Sequence, residues 1–401
     1  MTIKSILCSG VAAASLVASG ADALTINLVD NGTVAGTAAA QGFAVAARYW
    51  ESVLSNNVTI NLGIAYGPLG PNILGGTGSR RVDFTTQNWE TRVNATKSNS
   101  TLDQNIVLPT LNSGGASFIT NGVDANENND TSVKVYQDAD NRSSNVLYMN
   151  SAVVKAIGGT VSSPGSLDAN ITFSSNFNFD FNPGNGITVG AFDFIGVAIH
   201  EMGHALGFVS GVDFLDYYGG PNGPAALGYN LNDTSIYSAL DMFRYSTDPT
   251  NLAPGSNPVL DLSVGGAKYF SIDGGATALF GNSFATGSYN GDGDQASHWK
   301  DASGANVCGP QLGIMDPTFC SRQKGIVTAL DLAAFDAMGW NLNVDALAGN
   351  GSYQASTTKI LRGFLGTAVP EPGTWAMMIA GFGLVGGAMR RRATTVSFAA
   401  A

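Results

Sequence analysis

Residues 200–208, HEMGHALGF, constrain this chain more than any other stretch. His200 and His204 are four positions apart, so on a helix they lie one turn from each other on the same side. Two imidazole nitrogens can then reach one ion at about 2.0–2.1 Å. Glu201 sits one position on, about 100° around the helix. It cannot easily join that ion together with both histidines, but it can reach a water beside it, which is where a general base belongs. Asp193 suits an N-cap, and Phe194, Val197, Ala198 and Leu206 supply an apolar face. Gly207 can take φ > 0 and end the helix in a sharp turn. The competing reading is a core helix that happens to contain two histidines. The chain has only three histidines, and burying two of them without a metal or partner would be costly. The metal reading is therefore favoured.

A catalytic zinc site uses three protein ligands and one open position. Ser210, six residues after His204, is a poor ligand. Two candidates remain, His298 in ASHWKD (296–301) and Asp213 in SGVD (210–213). His298 is preferred as the last available imidazole. Shortly after it comes Gly313-Ile314-Met315-Asp316-Pro317, a methionine in a turn-forming sequence.

Together, HExxHxxGF, a long insertion, a Ser-His-Trp segment and a methionine turn resemble the leishmanolysin-type metalloproteases of the metzincin class. The resemblance covers about residues 193–340. It implies an α+β, metzincin-like two-lobed zinc protease: a mixed twisted sheet with helices packed on it, the active-site helix at the lobe boundary, and a C-terminal helix in the lower lobe. It also implies His298 as third zinc ligand, Met315 as the Met-turn residue, and Trp299 packed beside the ligand. The insertion length and the small number of cysteines depart from the family pattern, which leaves subfamily and substrate pocket open.

Charge narrows the partners. The net charge is −11 with pI near 4.6. Such a chain gains nothing from counterion release at phosphates, which excludes nucleic acid as a natural partner. Anionic lipid surfaces are disfavoured for the same reason. Only 12% of residues are charged and 51 are glycine, while 44% are hydrophobic. This is the composition of a loop- and strand-rich exported protein with a sizeable core.

The two ends read as targeting segments. Lys4, a short apolar run from Ile6 to Val17 and Ala21-Asp22-Ala23 form a signal peptide over 1–23. At the other end, VPEPGTWAMMIAGFGLVGGAMRRR (369–392) joins Pro-Glu-Pro to a short apolar segment (375–389) and Arg390–Arg392. That segment falls short of the roughly 20 residues a stable span needs, and the arginines would stay cytoplasmic. Transient membrane contact suits a processing enzyme. The order of parts resembles the PEP-CTERM sorting signal, which implies an exosortase partner cutting near Pro370-Glu371-Pro372 and a Gram-negative host. A permanent weak anchor is the alternative. With Cys8 in the leader, Cys308 and Cys320 remain, and export suggests one disulfide that brackets Met315. Free thiols are the alternative.

Between the ends, residues 39–54 have helical spacing and 58–64 alternate as a strand. Residues 146–158 read as a helix and 171–181 as a strand. Residues 121–145 are polar and acidic, and read as a solvated loop. Asp124, Asp130, Asp138 and Asp140, or GDGD at 291–294, could hold Ca²⁺, with weak support. Thr328 and Asp331 suit a capping box, with Gly339 as C-cap of a helix over 328–340. The domains are then a catalytic unit at 24–345 (upper lobe 24–208, lower lobe 209–345), a linker at 346–368, the sorting signal at 369–392 and a cytoplasmic tail at 393–401. The expected activity is hydrolysis of protein or peptide substrates by one zinc-activated water, with Glu201 as base. The alternative is a non-catalytic zinc-containing surface or matrix-binding protein.

Overall fold

The computed structural model describes residues 24–367, apart from 139, 226–230, 232–233, 248–250, 255–257 and 302–307. Strand β1 (Thr25–Asp30) leads into helix α1 (Ala38–Val53), which buries Phe43, Ala46, Trp50 and Val53 on one face. Strand β2 (Thr59–Gly67) buries Ile60, Leu62 and Ile64, the alternating apolar positions of its sequence. Strands β3 (Gly75–Ser79) and β4 (Arg81–Thr85) follow, then the hairpin β5 (Phe118–Val123) and β6 (Asn129–Gln137). Strand β7 (Val146–Asn150) runs directly into α2 (Ser151–Ala156), and β8 (Ala169–Ser174) comes next.

The second half carries α3 (Phe194–Ala205), α4 (Val212–Tyr217) and three short strands, β9 (Arg244–Ser246), β10 (Val259–Leu260) and β11 (Tyr269–Phe270). It closes with β12 (Ile326–Thr328), α5 (Ala329–Met338), β13 (Gln354–Ser356) and α6 (Thr357–Thr367). The class is α+β, built from several small sheets.

The largest sheet has the order β1-β2-β8-β3. Its first three strands are parallel and β3 is an antiparallel edge. Helices α1 and α3 meet at this sheet through Phe43, Phe173 and Phe194, with ring centroids 4.4–5.2 Å apart. This aromatic contact, part of the apolar burial that dominates folding, fixes where α3 lies. Helix α5 starts at a reciprocal cap between Thr328 and Asp331 and ends at Gly339, whose φ is +119°. Trp340 Nε1 donates to Leu206 O at 2.9 Å, which ties the end of α5 to the end of α3.

Four expectations need correction. The linker expected over 346–368 is structured over residues 354–367, because β13 pairs with β12 and α6 buries Ile360 and Leu361. The short apolar set of TTKILRGFLGT is diluted by small and polar neighbours, which hides it in composition. Within 121–145, β5 and β6 form a hairpin with a bulge at Asn121/Gly122. Asp124 caps its turn by accepting from Asn126 N at 2.8 Å and Asn128 N at 3.0 Å. Residues 146–150 are strand rather than helix, because Val146, Leu147 and Tyr148 pair across to β4. The strand expected over 171–181 ends at Ser174, and Phe179–Asp180 pairs separately with Phe192–Asp193.

Candidate metal centre

Helix α3 carries the first two histidines, and its N-terminus is held from three directions. The Asp193 carboxylate accepts from Gly196 N at 3.1 Å, Gly325 N at 3.0 Å and Thr357 Oγ1 at 2.5 Å. The helix ends at Gly207, where φ is +124°, a conformation open to glycine and costly for other residues. That turn brings Phe208 O back to within 2.6 Å of His204 Nδ1.

His298 comes from a different part of the chain, on a segment clamped on every side. Its carbonyl accepts from Ala285 N at 3.1 Å, and the next residue, Trp299, donates its N–H to Met315 O at 2.9 Å. Trp299 is fully buried, stacked on Phe284 at 4.9 Å and edge-on to Phe208 at 4.9 Å. Asp213 accepts from Ala296 N at 2.7 Å and from Ser297 Oγ. From the other side, the buried Arg244 donates to Ala296 O at 3.3 Å and to Ala285 O. Asp213, the alternative third ligand, therefore spends both carboxylate oxygens on holding the segment that carries His298.

The three Nε2 atoms converge. His200 to His204 is 3.0 Å, His204 to His298 is 3.1 Å, and His200 to His298 is 3.3 Å. Each Nδ1 faces a backbone carbonyl: Ile314 O at 2.7 Å for His200, Phe208 O at 2.6 Å for His204, and Gln295 O at 3.2 Å for His298. A carbonyl can only accept, so each Nδ1 carries the hydrogen and each Nε2 points a lone pair at the other two. Burial pushes the rings away from the protonated form, His200 down to about 4 and His298 down to about 3. His204 is lowered as well, by burial and then by its two imidazole neighbours. Three neutral lone pairs facing one point repel each other unless a cation joins them. Tetrahedral bonds of about 2.0–2.1 Å require Nε2 separations of roughly 3.3 Å, close to those observed. The donor set, its second shell of carbonyls and its spacing fit zinc. Among the described residues, this is the one group of three or more His, Cys, Asp or Glu side chains whose ligand atoms converge.

Glu201 lies beside the trio and is buried. Its Oε2 accepts from Thr77 Oγ1 at 2.7 Å, and burial pushes its carboxyl up to about 7, with the Thr77 bond opposing. A dication nearby would draw it down again. Met315 is fully buried and forms the floor. A Cβ at Gly203 would sit 2.5 Å from the Met315 sulfur, so the turn packs directly against the helix. The disulfide Cys308–Cys320 is formed and brackets that turn, with Cα atoms 5.7 Å apart.

The trio and Glu201 open into a cleft of about 850 Å³. One wall carries Leu74, Gly75 and Thr77, and another carries Pro317, Thr318 and Phe319. Thr77 and Arg81 line it too, and no sequence motif pointed to either. Asp331 was legible only as a helix cap, yet its carboxylate also accepts from Ile314 N at 2.8 Å, Met315 N at 3.2 Å and Trp299 Nε1 at 2.9 Å. Of the acids considered for calcium, Asp130 accepts from Ser132 N at 2.8 Å, and Asp292 accepts from Thr286 N at 2.9 Å and pairs with Lys300 at 3.2 Å. Residues 1–23, expected as a signal peptide, and the sorting segment lie outside the described residues.

Comparison with curated proteins and with solved structures returned no match. Residues 368–392 match the PEP-CTERM protein-sorting motif. The chain thus carries the mark of a bacterial protein exported to the surface or beyond it, and recognised by an exosortase-type sorting enzyme.

Proposed function

We propose that this chain is a zinc-dependent endopeptidase of the metzincin type, similar to leishmanolysin-like enzymes. Its host would be a Gram-negative bacterium, with residues 1–23 removed as a leader. The convergence of three imidazole Nε2 atoms at 3.0–3.3 Å beside the Glu201 carboxylate, at the floor of an open cleft, carries this reading. A purely structural zinc site has no need of a carboxylate next to its ligands, and it is usually closed by a fourth protein ligand.

His200, His204 and His298 would hold the ion through Nε2, each oriented by the carbonyl at its Nδ1. When bound, zinc lowers the pKa of a water and polarises a carbonyl oxygen. Glu201 accepts the proton from the attacking water and returns it to the departing amine. Thr77 donates to Glu201 Oε2 and so holds the carboxylate in place. Met315 supports the His200 and His204 helix from below.

The test is casein cleavage by residues 24–369, beside Glu201→Ala, with zinc measured in both. Activity lost in the variant while zinc is retained supports an endopeptidase with Glu201 as base. A zinc-loaded parent that cleaves nothing supports the alternative, a zinc-containing protein that binds surface or matrix material.

A further inference from the structure

Arg81 opens strand β4 and lines the cleft together with His204, Asp213 and Ser297. Among the described residues that line the cleft, it is the only lysine or arginine. Its strand partner is Asn150, whose Nδ2 donates to His204 O at 2.8 Å, so Arg81 sits by the end of the metal-binding helix. The guanidinium lies over the Tyr148 ring, 5.8 Å from its centroid. Its Nη1 makes no hydrogen bond and is closed to solvent in this structure, so a ligand must displace the cleft lining beside it to reach it.

The nearby anions do not fill that place. Asp213 and Asp241 act on Arg81 through space, but their oxygens are committed elsewhere. Asp213 holds Ala296 N and Ser297 Oγ. Asp241 accepts from Ser210 Oγ at 2.5 Å, and from Gly211 N and Ser238 N at 2.8 Å each. A buried guanidinium stays charged, and an unmade bond to it is expensive. Its planar fork matches a carboxylate.

We infer that Arg81 is a substrate-recognition residue whose guanidinium takes a carboxylate of the bound peptide, on the His204–Asp213 side of the cleft. This rests on the peptidase reading for the identity of the ligand. The carboxylate has two sources, an acidic side chain near the bond to be cut or a free C-terminus. In an otherwise acidic protein, one cation in the cleft would select for it.

The experiment uses full-length, zinc-loaded protein carrying Glu201→Ala, so that peptides bind without being cut. Three labelled peptide sets of equal length are titrated by fluorescence anisotropy: neutral with a C-terminal amide, the same with one aspartate moved along the chain, and neutral with a free C-terminus. One carboxylate set should bind about tenfold to a hundredfold tighter than the neutral one, and which set does so names the source. Arg81→Met in the same background should abolish the difference with zinc content unchanged. If Arg81→Met does not fold, Arg81→Lys, which keeps the charge and loses the fork, should reduce the preference several-fold. Equal binding of all three sets overturns the inference. A preference undiminished in the Arg81 variants also overturns it, because the metal then holds the carboxylate. Binding is read without turnover, so a parent that binds peptides selectively but cuts none would defeat the peptidase reading alone.

Discussion

Trp299 Nε1 donates to Asp331 Oδ1 at 2.9 Å, so the residue next to the third histidine is fastened to the first turn of α5. The same carboxylate accepts from Ile314 N, Met315 N and Thr328 N. The Met315 turn, the His298 segment and α5 therefore share one buried acceptor group. Asp331→Asn turns an NH₂ towards N–H donors that need an acceptor. It should cost about 3 kcal/mol or more in urea unfolding, and lower zinc affinity by tenfold to a hundredfold in a competition titration. Unchanged metal affinity would show that the trio is rigid without it.

Metal removal gives a second reading of the same site. A ligand that binds only the folded state adds stability by mass action, so chelation should lower the Tm of the parent. His298→Ala should bind less than one zinc per chain at micromolar metal, and its Tm should respond little to chelator. A normal zinc content in that variant would remove His298 from the ligand set.

Gly203 has no room for a methyl group, because a Cβ there would lie 2.5 Å from Met315 Sδ and 3.1 Å from its methyl carbon. Gly203→Ala should therefore push the floor away from the helix. A loss of about 1–3 kcal/mol is expected from overpacking. Pairing it with Met315→Ala should recover part of that loss, because the two changes share one contact. Additive losses would refute the contact.

Asp336 on α5 is buried, and its Oδ1 has no partner, while Oδ2 accepts from Ser100 Oγ at 3.1 Å. Burial, and then the neighbouring Asp103 charge, push it up to about 8. A raised carboxyl holds its proton in the folded state over a range where the unfolded chain has released it. Stability from this group is thus fully present below about pH 4 and is lost as pH rises towards 8. Asp336→Asn should leave stability near pH 4 almost unchanged and raise it near pH 8, by a few kcal/mol at most. Thermal melts across that range would show a flatter profile for the variant; a parallel profile would place the charge in a better-solvated site.

The helix that carries His200, Glu201 and His204 was legible because its signal is local: spacing along one helix sets which side chains share a face, and a glycine that needs positive φ marks the helix end. The helices at 38–53 and 329–338 and strand β2 were legible for the same reason, as periodicities within a dozen residues. What escaped depends on the third dimension. Thr77 is an ordinary strand threonine until β3 is laid along α3. Asp213 resembles a ligand in sequence because nothing there reveals that Ala296 N and Ser297 Oγ will claim its oxygens. Strand β7 has apolar residues that fit helix or strand alike, and only its pairing with β4 decides. The segment at 354–367 was hidden because its apolar residues are few, although they are buried where they matter.

Thr357 Oγ1 reaches Asp193 from that segment. Thr357→Val should cost about 1–2 kcal/mol, and ending the chain at residue 345 should cost far more, by taking away β13 and α6 together. Comparable unfolding midpoints for the truncated and longer chains would contradict this.

Helix α6 ends at Thr367, and the matched sorting motif begins at residue 368. From Thr367 to Glu371 the backbone can extend at most about 14 Å. The exported body is thus held on a short leash rather than a stalk. Any enzyme that cuts at Pro-Glu-Pro must work almost against a folded surface.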